Sequence, residues 1–328
     1  MKQCNVMIDG GTTNTRFILM HEGEVLTRCG KRAGAGAAEQ SGNKPLFSAV
    51  KETLLELERE YDCHITDVFS SGMITSGQGL YELKHIDAPA SFEKLVGAVK
   101  KVRLPEISET VDFYFVPGVR FLDQPESGKD MMRGEETELM GALGDGDEEK
   151  NIAFLHFGSH NKLMLVEKGA ITNSVTTVGG ELLWAVTQDT ILKSGVGDLL
   201  GGGKAFSLDG QFVRKGFANS EAQGLTRALF LGRICQVLED AEPAQVLSYL
   251  YGAILAADAE GFRRMFGNGV DRIVLYGRRE FVESFRLCRE EILGERAREI
   301  SLGEISYEES ENLSLRGLLK IREAYRRA

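Results

Sequence analysis

One pattern occurs twice in this chain, and any fold for it must accommodate both copies. Residues 6–27 run as an apolar strand (Val6-Met-Ile-Asp9), a small turn (Gly10-Gly-Thr-Thr-Asn14) and a returning apolar strand (Phe17-Ile-Leu-Met20) that ends near Gly23. Residues 153–173 repeat it, with Ala153-Phe-Leu-His156, then Phe157-Gly-Ser-His-Asn161, then Leu163-Met-Leu-Val166 before Gly169. Set 147 positions apart, Gly11 falls on Gly158, Thr12 on Ser159 and Asn14 on Asn161. Each copy reads as a strand, a hydroxyl-bearing turn and a returning strand. Glycine lets such a turn bring its backbone N–H groups close to an anion, and Thr or Ser hydroxyls add donors. Each copy can therefore cradle phosphate oxygens, and two of them in two similar units imply a nucleotide clamped between them.

A chain of 328 residues that is 42% hydrophobic has material for about two domains, each with its own core. The net charge is −10, with acids and bases interspersed, which argues against a nucleic-acid footprint or an anionic membrane surface as partner. Cys4, Cys29, Cys63, Cys235 and Cys288 are odd in number and contain no C-x-x-C pair, so reduced thiols are expected rather than a disulfide framework. Residues 1–4 run straight into a strand, and no apolar run approaches the roughly 18–20 residues that cross a bilayer. The expectation is a cytoplasmic protein with no membrane partner.

Periodicity supplies the rest of the outline. Three short strands are expected within 5–30, a Gly/Ala-rich loop over 34–38, and an amphipathic helix over 46–61 carrying Val50, Leu54, Leu55 and Leu57. Short strands follow at 68–70 and 113–116, the second stopped by Pro117-Gly118, and helical spacing covers 133–143. The acidic stretch 145–150 lacks the D-x-[DN]-x-[DN]-G pattern of a calcium loop and reads as a solvated crossing between domains. Beyond the second hairpin, helices are expected over 181–192 and 222–239, and one helix or two over 243–266. A buried strand at 273–276 leads through Gly277 into a helix to Leu287, and a final helix spans 312–325. The basic residues Lys320, Arg322, Arg326 and Arg327 at its end suit a helix C-terminus and are expected to face water.

Chemistry concentrates at a few positions. Asp9 ends the first strand immediately before the glycines, where a carboxylate can hold Mg²⁺ or its waters beside phosphates at Gly11, Thr12 and Thr13. An Asp that merely caps the turn is the alternative. In the second copy Lys162 adds a cation and His160 a further donor, although a lysine on a strand often serves only solubility. Met132-Arg-Gly-Glu-Glu-Thr137 sets Arg133, Glu135 and Glu136 at a helix start, where a carboxylate can take a proton from a hydroxyl while the arginine holds an anion. Acids there are also ordinary partners of the helix dipole. Gly201-Gly-Gly-Lys204 is no Walker A loop, since Asp198 and Ala205 occupy the positions of its first Gly and its Ser/Thr. Gly10-Gly11 likewise lacks the G-x-G-x-x-G spacing and is followed by a strand, which sets aside a Rossmann dehydrogenase.

The first hairpin, the second hairpin and the late strand–Gly277–helix resemble the phosphate 1, phosphate 2 and adenosine motifs of the sugar kinase, Hsp70 and actin superfamily, in that order. Within it the chain is similar to the 2-keto-3-deoxygalactonokinase (2-dehydro-3-deoxygalactonokinase) family. The resemblance runs through Ile8-Asp9 to Arg16, Gly72-Met73-Ile74 with Gly79, Val116-Pro-Gly118, Met132 to Thr137, Gly158-x-His160-x-Lys162 and Gly180-Glu-Leu182. Residues 133–137 also look like the Gly-Asp-Gln-Gln helix of other sugar kinases, whose Asp is the base, which gives Glu135 that role here. The chain departs from the family at Gly10, where Trp is usual, at Phe157-Gly-Ser-His160 in place of Pro-Gly-Thr-His, and at Gly79-Leu80 and His85-Ile86 in place of Gly-Trp and Pro-Tyr. The last two changes leave the acceptor open.

What the resemblance implies is an α/β fold of two actin-like (ribonuclease H-like) domains with mixed sheets flanked by helices, residues 1–146 and 147–328, and a cleft between them. It implies an ATP-dependent kinase for the 6-hydroxyl of 2-dehydro-3-deoxygalactonate, a small sugar acid. Catalysis would rest on Glu135, Asp9 and Arg133, with Mg²⁺ at Asp9. ATP would be held by Gly10, Gly11, Thr12, Thr13, Asn14, Arg16, Gly158, Ser159, His160, Lys162, Gly277 and Arg278, and the acceptor by Gly72, Met73, Arg133 and Glu136. Arg133 and Lys162 would neutralise the acceptor carboxylate or the transferring phosphoryl group. A homodimer is compatible with this reading. Two rivals stand beside it: a kinase for another sugar acid or polyol, and a non-catalytic actin-like regulator in which ATP only drives closure.

Overall fold

A computed structural model describes residues 1–34, 44–125, 127–200, 206–266 and 269–328. Residues 35–38 of the Gly/Ala-rich loop and the stretch 201–204 lie outside these. In the first half the strands are β1 (Lys2–Gly10), β2 (Thr15–His21), β3 (Glu24–Lys31), β4 (Cys63–Gly72), β5 (Ile86–Asp87), β6 (Lys100–Arg103), β7 (Asp112–Phe115), β8 (Val119–Gln124) and β9 (Gly128–Met132). In the second they are β10 (Asn151–Phe157), β11 (Asn161–Glu167), β12 (Ala170–Thr177), β13 (Arg272–Gly277) and β14 (Ser301–Glu304). They form a six-stranded sheet in the order β3-β2-β1-β4-β7-β6, a five-stranded sheet β12-β11-β10-β13-β14, and a small sheet β5-β8-β9.

The duplication read in the sequence is a duplication of topology. β1 pairs antiparallel with β2 and parallel with β4, and β10 pairs antiparallel with β11 and parallel with β13. β1 lies centrally, and its apolar run Val6-Met7-Ile8 is fully buried because each face of the sheet is covered. Val6 and Ile8 pack toward the helix Lys44–Tyr61, while Met7 packs on the other side with residues of the last helix, Leu313–Arg327. The equivalence reaches the strands after the hairpins. Gly72 stands opposite Gly10 and Gly277 opposite Phe157, with φ of 83° and 100°. A Cβ there would lie 2.4 Å from the Gly10 carbonyl oxygen in the first case and 2.1 Å from that of Phe157 in the second. Glycine alone meets both the positive φ and the close approach at these paired positions.

A third cluster of buried side chains ties the halves together. It joins Leu139 and Met140 of the helix Glu135–Ala142, Val119, Phe121 and Met132 of the small sheet, and Phe154, Met164 and Val274 on the inner face of the second sheet. The helix Glu135–Ala142 thus sits between the two large sheets. The last helix, Leu313–Arg327, read from the sequence as part of 147–328, packs instead on the first sheet and crosses Glu135–Ala142 almost backbone to backbone. A Cβ on Gly141 would meet the Leu313 carbonyl oxygen at 2.1 Å, and one on Gly317 the Thr137 carbonyl oxygen at 1.9 Å. Its basic end does not simply face water. Arg322 Nε lies 2.9 Å and Arg326 Nη2 2.8 Å from the buried Asp67 carboxylate of β4, and Lys320 donates to the Met140 and Leu143 carbonyls.

Residues 243–265 form one helix, Pro243–Met265. A helix not expected from the sequence, Gly210–Gln223, packs on it. All five cysteines are free thiols. Among the described residues no helix is long and apolar enough to cross a membrane.

Candidate active site

The first hairpin ladder ends at Gly10 opposite Thr15, and the second at Phe157 opposite Asn161. The turns therefore hold residues 11–14 and 158–160, one residue fewer in the second copy. Counted along the strands, Asn161 corresponds to Thr15 and Lys162 to Arg16, which corrects the alignment of Asn14 with Asn161 made from sequence spacing. The first turn is closed by Gly11 N–H donating to the Asn14 carbonyl at 2.8 Å, and residues 11–14 are exposed.

These exposed residues border a cleft of about 360 Å³ lined also by Asp9, Gly10, Arg16, Gly72, Met73, Arg133, Gly134, Glu135, Glu138, His156 and Ser159. Asp9 enters it from the end of β1 with a quarter of its side chain exposed, 3.8 Å from Arg16. Burial of its carboxyl raises its pKa, the Arg16 charge opposes this, and Glu135 adds to it.

Glu135 begins its helix just after Gly134, whose φ of 117° turns the chain into it. Its Oε1 accepts from Lys162 Nζ at 2.9 Å and its Oε2 from the Arg133 backbone N–H at 3.0 Å. Burial pushes its carboxyl upward, but the charge and hydrogen bond of Lys162 outweigh this and hold it down at about 2. Its two neighbours are driven the other way. Glu136, fully buried, turns back to accept from Gly134 N–H at 3.0 and 2.8 Å, and burial beside Glu135 raises it to about 7. Glu138, one turn along the cleft-facing side, accepts from the Tyr276 hydroxyl at 3.2 Å and is raised to about 8 by burial, Glu135 and Asp9. The Tyr276 ring stacks on His156 at 4.8 Å, and burial lowers the His156 pKa while the Glu135 charge opposes this.

A group whose pKa is raised on folding stabilises the protein below its unfolded value and loses that contribution as pH rises through its folded value. Glu136 and Glu138 are raised from 4.5 to about 7 and about 8. The ligand-free protein should therefore lose thermal stability as the pH rises through this interval, and Glu138→Gln should flatten the upper part of the slope. Melting temperatures measured in steps across the range check this, and identical slopes for wild type and variant would refute it.

Several expected residues line the cleft but are engaged otherwise, or do not line it. The Arg133 guanidinium is spent on the loop before β5. Nη1 donates to the Thr75 carbonyl at 2.8 Å and its hydroxyl at 2.5 Å, and Nη2 to the Leu83 carbonyl at 3.0 Å, while Nη2 lies 3.1 Å from His85 Nδ1. Burial and the Arg133 charge depress His85 to about 4, so its neutral ring accepts this bond. Lys162 is buried against Glu135 and does not line the cleft, nor does Glu136. His160 is exposed, 3.4 Å from Glu181.

Ser159 joins the cleft to a second hollow of about 450 Å³ that it lines with Gly180, Glu181, Trp184 and Arg278. A Cβ on Gly180 would come within 1.9 Å of the Gly158 carbonyl oxygen, so the helix Gly179–Asp189 starts directly behind this turn. Arg278 N–H donates to the Phe157 carbonyl at 2.7 Å, which sets the residue after Gly277 at the rim of that hollow. The sequence reading missed Glu138 and His156. The signal for Glu138 was its position three residues beyond Glu135, on the same helix face. None pointed to His156, whose place follows from the approach of the second sheet.

Two glycine turns bordering joined hollows, with a carboxylate-bearing helix between the two large sheets, form the site of this duplicated α/β fold, and the family match that follows makes it that of a kinase, a phosphotransferase with an alcohol acceptor. The model of the 2-keto-3-deoxy-galactonokinase family matches residues 9–308, and the chain belongs to that family. It is similar to the 2-dehydro-3-deoxygalactonokinase of Escherichia coli (strain K12), 24% identical over 79% of this chain and 80% of that one. It is also similar to a Rhizobium meliloti (strain 1021) protein named Probable 2-dehydro-3-deoxygalactonokinase, 26% identical over 82% of this chain and 83% of that one. Its fold matches a crystal structure from Sinorhizobium meliloti, assigned as a 2-dehydro-3-deoxygalactonokinase, with a TM-score of 0.77, 22% identity and 98% of each chain covered.

Proposed function

We propose that the protein transfers the γ-phosphoryl group of ATP to the 6-hydroxyl of 2-dehydro-3-deoxygalactonate. The observation that carries this reading is the shared cleft, where Asp9 and the turn 11–14 meet Glu135 and Ser159. The turns 11–14 and 158–160 hold the phosphates through backbone N–H groups and hydroxyls, while Ser159, Gly277 and Arg278 border the nucleoside. Among the described residues no three His, Cys, Asp or Glu side chains gather to hold a metal by themselves. Asp9, at the strand end beside the turn 11–14, fits Mg²⁺, which takes one or two protein oxygens beside phosphate and water. Asp9 would hold it, and it would supply neutralisation of phosphate charge. Glu135 receives the proton of the acceptor hydroxyl as its oxygen bonds to the γ-phosphorus and the bond to the bridging oxygen of ADP breaks. Arg133 braces the loop carrying Thr75, Leu83 and His85, the segment that borders the acceptor side in this reading.

One second reading has an observation of its own. At Leu80 and His85 the chain departs from the pattern of the family it resembles, and His85 is tied to Arg133, so another sugar acid or a polyol is the alternative acceptor. ADP release with MgATP, followed against 2-dehydro-3-deoxygalactonate, 2-dehydro-3-deoxygluconate and related aldonic acids, separates the two. Selective turnover of the galactonate is expected. Preference for another acid favours the second reading, and ATP binding with no turnover of any acceptor turns the assignment toward a regulator.

A further inference from the structure

Lys162 stands on β11 directly opposite His156, at the position that Arg16 holds opposite Asp9 in the first hairpin. Both hairpins thus carry a cation at the same place, and each cation meets a carboxylate of the first half. Arg16 is half exposed and 3.8 Å from Asp9, whereas the Lys162 side chain is 6% exposed and its Nζ lies 2.9 Å from Glu135 Oε1. A second donor of the same ammonium reaches the Met131 carbonyl at 3.3 Å. The two partners come from the end of β9 and the start of the next helix, so one buried ammonium spans the joint between the halves. It stands behind Glu135 as seen from the cleft, whose lining includes Glu135 but not Lys162.

We propose that Lys162 is a positioning residue that fixes the Glu135 carboxylate across the joint and acts on turnover through Glu135, not by binding the nucleotide phosphates. The inference rests on Glu135 being the base. Lys162 supplies the charge that lets a carboxylate remain ionised in a protein-lined site, and with the Arg133 N–H on Oε2 it fixes both carboxylate oxygens. The other groups around this carboxylate are Asp9 from β1, Arg133, Glu136 and Glu138 from its own segment, His156 from β10 and Tyr276 from β13. Lys162 is the cation among them in direct contact with its side chain.

Lys162→Met, Glu135→Gln and the double variant separate this role from phosphate binding. The expected result for Lys162→Met is kcat lower by about tenfold or more, with the Kd of a non-hydrolysable ATP analogue within about threefold of wild type. The acid limb of its kcat/KM profile should move upward, because Glu135 loses the charge that holds it low, and Lys162→Arg should restore part of the rate. The double variant should be no slower than Glu135→Gln alone. Analogue binding weakened about tenfold or more, with saturated turnover intact, overturns the proposal while leaving Glu135 as base. Multiplicative losses in the double variant overturn it as well. Turnover retained in Glu135→Gln removes the base and the positioning role together. If Lys162→Met does not fold, Lys162→Gln, which keeps a donor toward Met131, is measured in its place with the same outcomes.

Discussion

Glu135→Gln lowers kcat by about 10²- to 10⁴-fold, the range that a positioned general base contributes, and leaves nucleotide affinity nearly unchanged. The substitution preserves shape and an oxygen able to accept from the Arg133 N–H, but it removes the charge that faces Lys162 and the acceptor hydroxyl. Nucleotide affinity should hold because the turn 11–14 is shaped by the β1–β2 ladder and the Gly11–Asn14 bond, which Glu135 does not touch. A carboxylate held at about 2 is a weak base in water. That is no obstacle to phosphoryl transfer through a loose transition state, in which the hydroxyl proton leaves late and the carboxylate chiefly aims the attacking oxygen. The wild-type rate should accordingly show no acid limb from Glu135 near neutrality. Steady-state kinetics across pH, with calorimetric titration of an ATP analogue, check both halves of the expectation. Turnover within tenfold of wild type would remove Glu135 from the role.

The largest loss of stability is expected from Asp67→Ala. Asp67 is 3% exposed on β4 and accepts from Arg322, Arg326 and the Thr66 hydroxyl. Removing one partner of a buried ion pair costs about 3–5 kcal/mol, because the remaining charge stays desolvated. The Arg322 side chain is 15% exposed and fits that case, while Arg326 is 52% exposed and can turn to water, which places the sum at the lower end. About 3 kcal/mol at roughly 2–4 °C per kcal/mol corresponds to a melting temperature lower by roughly 6–12 °C. Asp67→Asn keeps one acceptor and should lose less. Calorimetry on both variants decides, and a shift under about 2 °C for Asp67→Ala would show the cluster to be effectively solvated.

The sequence carried the hairpins because their information is local. An apolar run, a glycine turn and a second apolar run fix strand, turn and return within about twenty residues, and Asp9 at the strand end followed from that. The register at the second turn was not legible, since the two turns differ by one residue and only the ladders reveal which. The helix Gly210–Gln223 was missed because Gly216 weakens its pattern, and Gly216 is there for a tertiary reason. A Cβ on it would lie 1.9 Å from the Tyr249 carbonyl oxygen of the helix Pro243–Met265. The small sheet β5-β8-β9 mixes charged and apolar residues over short strands and gains its order from packing on the second sheet. Arg322 and Arg326 read as solvent-facing helix-end cations because their partner is 255 and 259 residues away. At the site, Glu135 was found through the pattern of its segment, whereas the ring of groups that sets its charge state comes from five separate elements.

The return of the last helix to the first sheet bears on the order in which the molecule can assemble. Met7, Ile18, Phe69 and Val116 share their cover with Leu315, Leu318 and Ile321. A growing chain that has not yet released residues 313–327 therefore carries one wet, apolar side on its earliest sheet, however complete the later sheet has become. The Met7 face of the strand that bears Asp9 therefore closes only after the second half has been made, while its Val6 and Ile8 face can close earlier against the helix Lys44–Tyr61.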